Sequence, residues 1–137
     1  MLDDNKRLVR RLVDEVWNRG NLDLIDEIAN ADYVRHDPSW PEPIQNRDAY
    51  KEYVATVRHA FADLQFTIED LIAEGDKVVV RWTLKGTHDG EFMGIKPTWR
   101  EVTLPGMTII RIGSGRIAEG WDGYDALGLM QQLGVIP

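Results

Sequence analysis

Apolar residues near the N-terminus, Leu8, Val9, Leu12, Val13, Val16 and Trp17, recur at three-and-four spacing. That period predicts an amphipathic helix, started by Asp3 or Asp4 and stopped by Gly20. Asn21 can cap a short second helix carrying Leu22, Leu24, Ile25 and Ile28, paired tightly with the first. From Tyr33 to Gln45 the pattern breaks, and Pro38, Pro41 and Pro43 forbid regular helix. This segment reads as an ordered loop along a pocket rim. A third helix is expected from near Asn46 to Asp63, with Tyr50, Tyr53, Val54, Val57, Ala60 and Phe61 on one stripe.

The period then changes to two. Leu64, Phe66 and Ile68 alternate with polar residues, and Glu74-Gly75-Asp76 turns the chain into a second strand over 77–85. A third strand is expected from Trp99 to Ile112, with a bulge or kink at Pro105-Gly106 because proline cannot donate to the ladder. Gly113-Ser114-Gly115 makes a hairpin into a fourth strand, Arg116 to Tyr124. Asp125 can cap a last helix bearing Leu127, Leu129, Met130 and Leu133, closed by Gly134. The order implies an α+β fold: a curved, cone-shaped antiparallel sheet, three N-terminal helices packed on it and a short C-terminal helix, enclosing an apolar cavity.

A length of 137 residues suits one domain, 1–137, with a single core. The net charge of -7 opposes binding to nucleic acid or anionic membrane. The basic cluster Lys6, Arg7, Arg10 and Arg11 is interleaved with acids and reads as a solvated helix face. No apolar run approaches a membrane span, and the charged start lacks a secretory pattern, so a cytoplasmic protein is expected. With no cysteine and three scattered histidines, neither a disulfide nor a metal site is expected. The short glycine turn at 113–115 cradles no nucleotide, and no cofactor is implied.

Several strings, taken in order, resemble the SnoaL-like polyketide cyclases of the nuclear transport factor 2-like superfamily. They are Trp17-Asn18-Arg19-Gly20-Asn21-Leu22-Asp23, Tyr33-Val34-Arg35-His36-Asp37-Pro38, Gly86-Thr87-His88-Asp89-Gly90, and Gly115 to Asp125 with Gln132-Leu133-Gly134. The resemblance implies a coned α+β fold, commonly dimeric, with ligand inside. It also implies that Asp122 stands where these cyclases carry the aspartate that serves as acid and base in an intramolecular aldol closure. Relatives usually have a small residue after Pro-Thr, where this chain has Trp99. A related branch, the limonene epoxide hydrolases, pairs two carboxylates across an arginine; here Thr83 stands in place of the second, which disfavours that chemistry.

Asp122 and Tyr124 share one strand face and Trp121 the other. A carboxylate among apolar walls would be driven toward its neutral form and could give and retrieve a proton; the plainer reading is a structural ion pair or cap. Arg81 and His36 are candidate polarising donors beside it, with an exposed ion pair the plainer reading of Arg81. Tyr33, Trp40, Tyr53, Trp82, Thr83, His88, Trp99 and Met107 are candidate ligand contacts, with a turn anchor the plainer reading of His88. The expected function is cofactor-independent acid/base chemistry on a small hydrophobic carbonyl compound: aldol-type cyclisation, isomerisation or related lyase chemistry. The alternatives are a noncatalytic binder of a hydrophobic metabolite and a module whose cavity is incidental. Apolar residues on the outward sheet face point to a homodimer.

Overall fold

The computed structural model describes residues 2–137. Helix α1 spans Leu2–Arg11 and continues over Leu12–Asn18 with the wider winding of a π-helix. Because π winding aligns residues five apart, Leu12 and Trp17 come onto one face, and both are buried. Asn18 then ties this end to the sheet: its amide donates to the Phe66 carbonyl at 3.0 Å and accepts from the Phe66 N–H at 2.7 Å. The short α2 is Leu24–Ile28, preceded by Asp23 rather than capped by Asn21. Helix α3, Arg47–Ala60, starts on Asn46, whose side chain accepts from the Ala49 N–H. Its buried stripe is Tyr50, Val54, Val57 and Ala60, the expected face. Asp125 caps α4, Ala126–Leu133, and left-handed Gly134 ends it, both as expected.

Six strands form one curved sheet: β1 Ala29–His36, β2 Ile44–Gln45, β3 Gln65–Glu74, β4 Lys77–Thr87, β5 Glu101–Gly113 and β6 Arg116–Tyr124. The spatial order is β2-β1-β6-β5-β4-β3. Three expectations are corrected here. The sheet is mixed, because β1 runs parallel to β6 while the other neighbours are antiparallel. The rim segment is a loop only from Asp37 to Pro43, since residues up to His36 pair as a strand and the prolines all lie beyond it. The kink expected at Pro105-Gly106 is also absent as a register break. Pairing with β4 runs through Pro105 without a shift, and pairing with β6 begins only at Gly106. The shift in β5 falls instead between Arg111 and Ile112.

The helices cover one face of the sheet, which presents Val78, Val80, Trp82 and Leu84 from β4 and Leu104, Thr108, Ile110 and Ile112 from β5. Register aligns these into rows: Val80, Thr108 and Asp122, then Trp82, Gly106 and Tyr124. Gly106 is required where it stands, because a Cβ there would lie 2.3 Å from the Trp82 indole. The glycine lets the ring lie flat across the strand and aim its N–H at the preceding row.

Candidate active site

Asp122, on the inner face of β6, has a side chain only 2% exposed. Arg35 meets its Oδ2 twice, through Nε at 2.7 Å and Nη2 at 2.5 Å. Thr108 donates to Oδ1 at 2.6 Å and itself accepts from Trp82 Nε1 at 2.9 Å. Arg35 also reaches the Tyr50 hydroxyl at 3.4 Å, and Trp17 Nε1 donates to that same oxygen at 3.1 Å. The guanidinium lies 5.4 Å from the ring centres of Tyr50 and Tyr53 and 5.8 Å from Trp17, an aromatic box suited to a cation. Burial alone would lower the Arg35 pKa, but Asp122 beside it raises it well above its ordinary value. Thus the acid lies among apolar walls as expected, yet its charge is compensated by a buried partner instead of standing alone.

A narrow cavity, open to solvent at its mouth, adjoins this pair. Its lining is mainly apolar, with Leu12, Trp17, Phe66, Leu104 and Leu129 among the walls, and Arg35, Tyr53, Thr108, Asp122 and Tyr124 supply the polar points. This fits the usual pattern of a small-molecule site, a greasy enclosure with a few placed polar groups. A second polar cluster closes its rim. Asp37, just after β1, accepts from the Ser39 N–H at 2.9 Å and the Ser39 hydroxyl at 2.6 Å, and Tyr53 Oη lies 3.5 Å from its other oxygen. Ser39 Oγ in turn contacts Tyr124 Oη. Burial raises the pKa values of Tyr53 and Tyr124, so both remain neutral hydroxyls.

Of the residues singled out from sequence, Asp122, Tyr53 and Trp82 line the cavity. Arg81 does not come near Asp122: it is exposed on the outer face, paired with Asp70 at 2.6 Å. Thr83 faces out beside it and donates to Glu69. His36 also lies outward, with Nε2 2.7 Å from Glu119 and its ring stacked on Trp121. The reason is strand parity, because one residue's step reverses the face. Met107 is 55% exposed on the same outer side, and Trp99 is 70% exposed beyond β4. Tyr33 is fully buried behind the site against Tyr50, its hydroxyl close to Gly120. Trp40 stands at the rim against Tyr53. His88 is fully buried and anchors a turn through Thr98, 3.0 Å from Nδ1. Arg35, Thr108, Asp37 and Tyr124 join the site without being expected there from the sequence. The alternation of Tyr33 and Arg35 before the prolines was the available signal for the first of them. Among the described residues no three His, Asp or Glu side chains converge as a metal ion would need.

A curved sheet covered by helices on one face is the fold of solved SnoaL-like polyketide cyclases. Residues 7–133 match that family, and the chain belongs to it. Aklanonic acid methyl ester cyclase DnrD of Streptomyces peucetius is 31% identical over 134 residues, covering 93% of this chain and 88% of its own. The nogalonic acid methyl ester cyclase of Streptomyces nogalater is 29% identical over 124 residues, covering 86% and 89% respectively. A structure of the same SnoaL-like kind from Jannaschia sp. CCS1 superposes with a TM-score of 0.91 at 27% identity, covering 98% of this chain and 94% of the other.

Proposed function

We propose that this protein closes a ring in a polyketide ester by an intramolecular aldol reaction, with Asp122 as base and then acid. The carrying observation is the lone-pair count at Asp122. A carboxylate offers about four acceptor sites, and Arg35 takes two on Oδ2 while Thr108 takes one on Oδ1. One site on Oδ1 remains for a substrate proton. A carbon flanked by ketone and ester carbonyls is acidic enough for a carboxylate to deprotonate. The resulting enolate attacks a second ketone of the same molecule, forming the new C–C bond. Asp122 returns the proton to the new alkoxide, so no atom leaves and no external oxidant or reductant is consumed.

Arg35 holds the carboxylate in place and offsets its charge as the proton moves, and the apolar walls exclude water that would quench the enolate. The names of the relatives, cyclases of aklanonic and nogalonic acid methyl esters, support a polyketide acid methyl ester as the substrate class. The test is turnover of aklanonic acid methyl ester followed by chromatography, comparing the wild type with Asp122→Asn. The variant keeps the shape of the side chain and loses the base, so kcat falls by about 10²–10⁴-fold. Unchanged turnover in Asp122→Asn would return this residue to a structural role. A wild type that binds the ester without converting it would favour the noncatalytic binder.

A further inference from the structure

We infer that Tyr124, with Ser39 and Asp37 behind it, forms a second polar subsite in the cavity that accepts a hydrogen bond from a phenol or enol hydroxyl of the substrate. The direction of the hydrogen bonds carries this. Asp37 is 5% exposed and its partners, the Ser39 N–H and O–H and the Tyr53 hydroxyl, are neutral donors. Ser39 has one hydroxyl proton, and it goes to Asp37. Its contact with Tyr124 therefore requires Tyr124 to be the donor. Tyr53 likewise turns its proton to Asp37.

Tyr53 and Tyr124 both line the cavity, and their hydroxyl protons are committed to Asp37 and Ser39, so a ligand that reaches either oxygen meets lone pairs. A carbonyl placed there finds no donor, and a hydroxyl finds an acceptor. Tyr124 lies two residues beyond Asp122 on the same face, about 7 Å along the strand. One flat substrate can therefore touch Asp122 at its reacting carbon and Tyr124 at a ring hydroxyl. The inference rests on the reading that this cavity holds the substrate.

The test is titration calorimetry with 2-naphthol and its methyl ether, 2-methoxynaphthalene, on the full chain. The wild type is expected to bind the naphthol roughly fivefold more tightly, the value of one neutral hydrogen bond. That preference disappears in Tyr124→Phe. In Ser39→Ala it shrinks, because the Tyr124 proton is then free to turn into the cavity; this second variant serves if Tyr124→Phe folds poorly. The inference is overturned by a wild type that binds neither probe or shows no preference, or by a preference intact in Tyr124→Phe. The turnover of Asp122→Asn is read separately, so failure of the acid/base reading is distinguishable from failure of the subsite.

Discussion

Arg35 and Asp122 lie 87 positions apart and meet through two contacts of 2.7 and 2.5 Å on a single carboxylate oxygen, inside an aromatic enclosure. The parallel junction of β1 with β6 makes the meeting possible, aligning Arg35 with Gly120 so that the guanidinium reaches along its own face to Asp122. Neither group would be tolerated there alone, since an unpaired buried charge is far costlier than a paired one.

Removing both partners should therefore cost less than the two single removals added together. Arg35→Met is expected to lose about 3–5 kcal/mol in urea unfolding. Arg35→Met combined with Asp122→Leu should lose less than the sum of the single changes, by about 0.5–3 kcal/mol. Strict additivity would mean that the two charges are not coupled.

Trp99 holds a backbone φ of 60° with 70% of its surface exposed. A non-glycine residue in that region gives up about 1–2 kcal/mol, and glycine would bring back an entropy cost of about 0.5–1 kcal/mol. Trp99→Gly is thus expected to hold or slightly raise the melting temperature of dilute protein, checked by circular dichroism. A clear drop would show that the indole packs against something absent from the single chain.

Glu119 is held below the ordinary glutamate pKa first by its bond to His36 and also by Arg111, against the opposing effect of burial. A depressed carboxylate stabilises the fold fully above its unfolded value of about 4.3 and loses that contribution as pH falls through the folded value. Glu119→Gln should melt lower than wild type near neutral pH, with the gap closing below about pH 4. A gap that stays constant down to acid pH would contradict the assignment.

On the outer face Ile72, Val79, Ile109 and Trp121 stand in one row across four strands. Ile72 is 60% and Ile109 39% exposed, which a solvated sheet has no use for. A homodimer through this row is expected at micromolar concentration in sedimentation velocity, and Ile109→Lys should shift it to monomer. A wild type that is monomeric throughout would remove the claim.

Helices, hairpins and caps were legible because their causes are local. Three-and-four spacing marked Tyr50 to Ala60, period two marked β3 to β6, and Asp125, Gly134 and Gly115 carry their turn chemistry in their own side chains or lack of one. The strand up to His36 was hidden by the prolines that follow it, and its parallel pairing with β6 has no local signature at all. Asp122 is legible as a residue, while the partner expected at Arg81 and His36 is Arg35.

By itself the sequence determined which side chains share a face, since alternation along a strand is set by backbone geometry. Only the tertiary structure decided which face the helices cover, and so whether Arg81 with Met107 or Trp82 with Thr108 would turn inward. That choice depends on contacts between segments far apart in the chain, and a single step in β1 separates the arginine that meets Asp122 from the histidine that does not.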